Sequence, residues 1–275
     1  MPELPEVEVT RLGINPYLVS HKVSALVLRR SGLRWPFPEN LQQTLVGQTV
    51  QSTGRRGKYL LINFKHGVLI IHLGMSGHIR VLPKNTAAQL HDHVDIVLGN
   101  QLLRLTDPRR FGAVLWHDHN DGAIEQHPLL QKLGMEPLTD QFDGAVLYKQ
   151  TRHRRISVKQ MLLAGDVVVG VGNIYASESL FISGINPLTP VDEISLARYK
   201  KLAAAIKKIL AEAIIQGGSS LKDFVNVNGA SGYFQQNYFV YNRTDLPCRV
   251  CYAPIRQIKQ GQRSTFYCVK CQKSR

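Results

Sequence analysis

The order of apolar and polar positions changes character near the middle of the chain. Tyr59–Phe64, Val68–Leu73, His78–Leu82, Val94–Leu98 and Leu102–Leu105 are short aliphatic or β-branched runs separated by Gly, Asn or Asp. Such runs predict antiparallel strands, and several in succession predict a β-sandwich or barrel. One helix is predicted ahead of them. Pro5 suits a first helical turn, Glu6 and Glu8 favour its positive end, and Val9 and Leu12 begin an apolar face. Asn15-Pro16 should end it. Around 134–144 the period is lost and Pro137, Asp140 and Asp143 appear, the pattern of a linker.

Beyond that point the period becomes helical. Leu196, Tyr199, Leu202, Ala203, Ile206, Leu210, Ala213 and Ile214 share one face of a long helix closed by Gly217-Gly218, and they read as core. Upstream, Ile156–Leu163 and Ile174–Ser183 predict two shorter helices joined through VVVGVGN. A helix beginning near Asn173, with Gly170 and Gly172 letting the backbone approach closely, offers N–H groups and a positive dipole end to an anion. Plain packing explains the same loop, so the motif alone leaves both readings open.

Charge shifts the balance. The chain of 275 residues carries a formal charge of +14. Residues 1–144 hold 15 Lys+Arg against 13 Asp+Glu, or +2, whereas 145–275 hold 19 against 7, or +12. A basic half beside a nearly neutral one points to a polyanion docking on the second half, nucleic acid ahead of membrane. No apolar run reaches the roughly 18 residues of a membrane span. The start shows no charged, apolar and cleavage-site succession, so a cytoplasmic location is expected.

The four cysteines then become informative, since a reducing compartment favours a metal site over disulfides. They spell Cys248-x2-Cys251-x16-Cys268-x2-Cys271, two close pairs separated by a hairpin-length stretch. Four thiolates suit one tetrahedral Zn²⁺ with no open position, so the metal should be structural. Tyr252–Lys259 and Thr265–Cys268 are the predicted hairpin strands. The stretch from Ile255 to Arg263 between them is rich in donors and suits phosphate contact.

The start, MPELPEVE, admits two readings. It is a helix start with capping acids. Alternatively, removal of Met1 exposes the secondary amine of Pro2, and α-amino groups titrate near pH ~8, leaving some free base at neutral pH. Such an amine can attack a sugar C1′ and form an iminium that acidifies the C2′ proton, with Glu3 shuttling protons.

MPELPEVE, GRRGKYL (54–60), HLGMSG (72–77), TDPRRFG (106–112), VVGVGNIYASESLF (168–181), GGSSLKDF (217–224) and the cysteine quartet occur in that order across essentially the whole chain. Together they resemble bacterial formamidopyrimidine-DNA glycosylase (8-oxoguanine DNA glycosylase/AP lyase). PELPE also favours this branch over the endonuclease VIII type. The resemblance implies an α+β multidomain protein. It would comprise an N-terminal β-sandwich with flanking helices (1–135), a linker (136–150), a helix–two-turn–helix domain with a lesion-capping loop (151–240) and a zinc-ribbon-like β-hairpin (241–275).

The resemblance also implies roles. Pro2 would be the Schiff-base nucleophile, Glu3 the acid/base for sugar opening, Lys58 the donor for β-elimination and Arg263 the donor for δ-elimination. Glu6 joins this group, in a positioning more than a reacting part. Met75, Arg109 and Phe111 match residues that fill the gap left by an everted nucleotide. His72, His91, Arg154 and Asn173 match DNA-contacting positions, with His93 an alternative to His91. Residues 224–241 align with the loop closing over the damaged base. The implied activity is release of oxidised purines, 8-oxoguanine opposite cytosine and formamidopyrimidines, followed by strand cleavage. The implied partner is damaged or abasic duplex DNA, bound by a monomer at the nucleoid. The alternative is a non-catalytic zinc-hairpin protein that binds damaged DNA.

One stretch departs from the pattern. After Lys159 the family usually shows an acidic residue in a segment like LLDQ or LMDN, whereas this chain reads Gln160-Met161-Leu162-Leu163-Ala164-Gly165-Asp166. Gly165 within a helix end is expected to loosen it by roughly 1 kcal/mol.

Overall fold

The computed structural model describes residues 1–218 and 238–274. The chain divides into two compact units, one built on Met1–Gln131 and the other on Lys132–Ile215 together with the chain from Gln236 onward.

The first unit is a β-sandwich of two four-stranded antiparallel sheets. One sheet joins β1 (Ala25–Leu28), β6 (Asp92–Leu98), β7 (Gln101–Thr106) and β5 (His78–Pro83) in that spatial order. The other joins β2 (Ser52–Arg56), β3 (Tyr59–Asn63), β4 (Gly67–His72) and β8 (Ala113–Asp118). Leu60, Ile62, Leu69 and Ile71 from one sheet meet Ile79, Val94, Ile96, Leu103 and Leu105 from the other in one core. Alternation along each strand sends these residues to the same side, which is why the short runs read correctly as strands.

Helix α1 (Leu4–Leu18) flanks the sandwich and places Val7, Ile14 and Leu18 in that core. It runs past Pro16, where a stop was expected. Proline in the last turn removes only one hydrogen bond, and Val19 N–H still reaches the Asn15 carbonyl at 3.1 Å. Burial of Leu18, with no exposed surface, offsets the loss. A short helix, α2 (Leu41–Leu45), buries both its leucines.

The second unit is helical. Residues 136–150, expected as a linker, instead contain α3 (Gly144–Thr151), whose Leu147 is fully buried. Phe142 is also fully buried, so the segment is packed chain rather than a spacer. Helices α4 (Val158–Ala164) and α5 (Asn173–Ile182) flank the glycine-containing loop, and α6 (Leu196–Ile215) supplies the long apolar face. Of its predicted stripe, Tyr199, Leu202, Ala203, Ile206, Leu210 and Ala213 are buried, while Leu196 is partly exposed. Strands β9 (Arg256–Gln260) and β10 (Arg263–Tyr267) form the terminal hairpin.

The Gly165 expectation reverses. Gly165 is the C-cap of α4 at φ +77°, ψ 8°, with open space around its missing side chain. A left-handed cap is where glycine stabilises a helix end. Asp166 follows and pairs with Arg154 at 2.7 Å. Of the expected capping loop, 224–241, residues 224–237 lie outside the described residues.

Candidate active site and nucleic-acid interface

Pro2 and Glu3 lie at the start of α1 and are buried, Glu3 with 2% of its surface exposed. Glu3 is the N-cap, and its N–H donates to Glu6 Oε2 at 2.8 Å in a capping box. Glu6, with no exposed surface, therefore fixes the backbone that carries Pro2 and Glu3. One turn on, the Glu8 carboxylate accepts from Arg11 Nη2 at 2.6 Å and from Arg55 Nε at 3.0 Å. Burial alone would raise its pKa. The two guanidiniums outweigh that and hold it below the usual carboxylate range. Arg55 Nη1 also donates to the Gly57 carbonyl at 2.9 Å, so Glu8 and Arg55 tie α1 to the turn that carries Lys58.

Lys58 is half-buried at the tight turn from β2 into β3. Beside it, Tyr59 pairs across the sheet with His72, their rings 4.8 Å apart. Burial, together with the nearby charges of Lys58 and Arg34, lowers the His72 pKa to about 4. The ring is thus neutral at pH 7. Its Nδ1 accepts from Gly74 N–H at 3.1 Å, which leaves the proton on Nε2.

His72 ends β4, and its Cα partner is Ala113 of β8. His78 opens β5, and its partner is Thr106 of β7. The loops 73–77 and 107–112 each cross between the sheets at this same end of the sandwich, and so run side by side. They carry Met75 on one side, Arg109 and Phe111 on the other. Phe111 is 46% exposed, and the Arg109 guanidinium sits over its ring at 5.1 Å. The two side chains form a cation–π pair at the surface. The loops touch through glycine. Gly74, at φ +63°, has the Gly112 nitrogen and the Phe111 carbonyl carbon each 2.4 Å from where a Cβ would stand.

The two histidines of the HDH stretch separate cleanly. His93 is buried and its Nε2 bonds the Asp107 carbonyl at 3.0 Å. His91 lies at the surface, half-exposed, at φ +75°. The segment before it is held by Arg104, which is almost fully buried and donates to the carbonyls of Thr86 and Ala87, each at 2.9 Å. Arg104 also pairs with Asp95 at 2.8 Å.

In the second unit, the chain turns from β9 to β10 through Gly261 and Gln262, both at positive φ, a two-residue hairpin of the primed type. Arg263, the residue after this turn, is exposed. The hairpin is anchored from below. Asn173 Nδ2 and Lys159 Nζ both donate to the Ser264 carbonyl at 3.0 Å, and Lys159 reaches Thr265 Oγ1 at 2.8 Å. Asn173, the first residue of α5, is thereby joined to Arg263 through one residue. Arg154 is joined to Asp166 instead.

The four cysteine sulfurs lie within 4.8 Å of one another. Zn–S bonds of about 2.3 Å require tetrahedral sulfur separations of about 3.8 Å. Cys248 to Cys271 is 3.8 Å and Cys251 to Cys268 is 3.4 Å, so the quartet fits one structural zinc ion. Nearby, Glu178 of α5 is buried and accepts backbone N–H bonds from Phe239, Val240 and Tyr241 at 2.7, 2.9 and 2.7 Å. Glu178 and Arg104 were not singled out from sequence, and Glu8 only as an acid at the positive end of a helix. The only available signal was a charged residue at an otherwise apolar or small position, as in YASESLF.

Comparison with known proteins agrees with this geometry. Family models match the formamidopyrimidine-DNA glycosylase N-terminal domain over residues 1–114 and its H2TH domain over 133–225. A zinc finger found in FPG and IleRS matches over 245–273. The formamidopyrimidine-DNA glycosylase of Herminiimonas arsenicoxydans is 68% identical over 99% of this chain and all of its own. That of Paraburkholderia phymatum is 56% identical over the same shares. Among solved structures, a Lactococcus lactis FPG mutant bound to DNA containing Fapy-dG is 31% identical, covers 99% of this chain and 100% of its own, and superposes with a TM-score of 0.92. The MutM (FPG) protein of Thermus thermophilus is 32% identical over 98% of each chain, with a TM-score of 0.89. From its paired buried acids at the N-terminus to its four closing thiols, the chain belongs to the formamidopyrimidine-DNA glycosylase family.

Proposed function

We infer that this protein is a bifunctional DNA glycosylase and AP lyase that removes oxidised purines from duplex DNA and then cleaves the strand at the abasic sugar. The observation that carries the reading is that the Pro2-Glu3 helix start and the interlocked loops bearing Met75, Arg109 and Phe111 belong to one rigid sandwich. A group able to react with a sugar is thus built on the same frame as side chains able to fill the gap left by an everted base.

The chemistry follows from the groups. Once Met1 is removed, the Pro2 nitrogen attacks C1′ as the bond to the base breaks, and the base departs with a proton. The Glu3 carboxyl gives a proton to the ring oxygen as the sugar opens, leaving an iminium on Pro2. Loss of the C2′ proton expels the 3′ phosphate, with Lys58 protonating the leaving oxygen. A second elimination expels the 5′ phosphate, with Arg263 stabilising it. Glu6 holds the helix start and takes no proton. Met75 and Phe111 replace lost stacking, and Arg109 hydrogen-bonds the unpaired cytosine. His72, His91, Arg154 and Asn173 hold phosphates. One zinc ion on the four cysteines keeps the β9–β10 hairpin folded and activates no water. Residues 151–240 serve as the helix–two-turn–helix and capping module and 241–275 as the zinc hairpin. A monomer working in the cytoplasm at the nucleoid completes the reading. Among the described residues no helix is long and apolar enough to cross a membrane.

The test is a panel of duplexes holding 8-oxoguanine or a formamidopyrimidine opposite each of the four bases. Base release with strand cleavage, fastest opposite cytosine, is expected. Tight binding without release of any lesion would leave a DNA-binding protein without catalysis.

A further inference from the structure

The sandwich contains a buried acid that the chemistry above does not use. Asp107 has no exposed surface, yet every polar group it has serves one of the elements around the gap-filling side chains. Its Oδ1 accepts from Ser76 Oγ at 3.0 Å and its Oδ2 from Gly112 N–H at 2.8 Å. Its carbonyl receives His93 Nε2 at 3.0 Å and Arg110 N–H at 3.2 Å, and its N–H donates to the His91 carbonyl at 3.0 Å. Ser76 closes the ring, because its Oγ also accepts from Arg109 N–H at 3.2 Å.

We propose that Asp107, acting with Ser76, is the positioning residue that makes Met75, Arg109, Phe111 and His91 one rigid wedge. The proposal rests on the reading that these side chains fill the gap. Each arm of the carboxylate reaches a different segment. One grips the loop of Met75 through Ser76, the other the end of the loop of Arg109 and Phe111 through Gly112. The Asp107 backbone holds both histidines of the HDH stretch. A carboxylate suits the task because its oxygens accept from two donors at once. Asparagine keeps the size but replaces one acceptor oxygen by an NH₂, so with Gly112 N–H still served the Ser76 O–H, whose oxygen already accepts from Arg109 N–H, loses its acceptor. The consequence falls on duplex DNA, where a gap must be filled and the opposite base read. A single-stranded abasic site presents no gap and no opposite base, so it draws on Pro2 and on phosphate contacts but not on Met75, Arg109 and Phe111.

The experiment compares Asp107→Asn and Ser76→Ala with the parent, Met1 removed, in three readouts. These are single-turnover excision of 8-oxoguanine opposite cytosine, the ratio of excision opposite cytosine to that opposite adenine, and borohydride trapping on a single-stranded abasic oligonucleotide. Displacing the wedge by about 1 Å predicts a loss on the order of 100-fold in duplex excision for Asp107→Asn. The cytosine-to-adenine ratio should fall severalfold, with single-strand trapping within about twofold of the parent. Ser76→Ala should show the same pattern more weakly, and it decides the matter if the Asn variant fails to fold. Unchanged duplex excision and base discrimination in a folded variant overturns the proposal, as does an equal loss on single strands, which marks a merely structural residue. A Met75→Ala/Arg109→Ala/Phe111→Ala protein separates this from failure of the underlying reading. If that protein excises from duplexes like the parent, the gap-filling assignment itself is wrong.

Discussion

Replacing Gly74 by alanine should damage both the fold and the reaction, by amounts set by the close approach of the two loops. Gly74 sits at φ +63°, and its added Cβ would stand 2.4 Å from the Gly112 nitrogen and the Phe111 carbonyl carbon. Ordinary contact begins near 3.4 Å, so the two loops must part by 3.4 minus 2.4, or about 1 Å. That motion stretches the 3.0 Å bond from Ser76 Oγ to Asp107 Oδ1, which crosses between the two loops, beyond hydrogen-bonding range. The left-handed backbone costs about 1–2 kcal/mol with a side chain, and the forced separation about 1–3 kcal/mol more. A total of about 3 kcal/mol lowers Tm by roughly 10 °C in a unit of this size. Single-turnover excision from duplex DNA, measured where the variant is folded, should drop on the order of 100-fold. Gly99→Ala is the control. It has φ +59° but nothing within 4 Å, so it should carry the backbone cost alone and leave excision intact. A Gly74→Ala protein that melts within 2 °C of the Gly99→Ala control, by the ~1 °C resolution of such scans, and excises at the parent rate would refute the close packing of the two loops.

Two further outcomes concern single groups. Gly165→Ala should destabilise by about 1 kcal/mol in equilibrium denaturation and Gly165→Asn by less, since the α4 cap is left-handed; an alanine variant as stable as the parent would restore the expectation of a loosened helix. His72 has its pKa depressed to about 4, against about 6.5 in the unfolded chain. The unfolded state therefore binds the proton first as pH falls. The contribution of His72 is complete above pH ~6.5 and is lost progressively down to about pH 4, at up to about 1.4 kcal/mol per pH unit. His72→Asn, which keeps an acceptor for Gly74 N–H, should show a flatter fall in stability over that window; equal slopes would contradict the depressed value.

Much of this fold was visible in the residue pattern. The five strands predicted for the sandwich appear within two residues of their expected ends; four of them, β3, β4, β6 and β7, are central and carry dense apolar runs, and β5 lies at an edge, while hairpin strand β9 begins at Arg256 and not at the expected Tyr252. The three unpredicted strands, β1, β2 and β8, all lie at sheet edges. Strand β2 reads STGRR and is held by its backbone pairing to β3, which leaves no apolar signature. Pro16 misled for a related reason, since its local cost was outweighed by the distant core that receives Leu18. At the site, residue types with intrinsic chemistry were legible: an N-terminal proline, paired acids and four thiols at metal spacing. Groups whose only task is to hold others were not. Glu8, Arg104, Asp107 and Glu178 look like ordinary charges in the sequence, and their burial and partners emerge only once the chain has folded.

The central claim is covalent chemistry at the Pro2 nitrogen, and reduction by borohydride tests it most directly. Protein lacking Met1 is mixed with duplex DNA containing an abasic site, reduced, digested and mapped by mass spectrometry. One stable adduct, located on Pro2, is expected, and none when the N-terminus is acetylated or Met1 is retained. An adduct on a lysine side chain, or one that forms equally well with a blocked N-terminus, would contradict it.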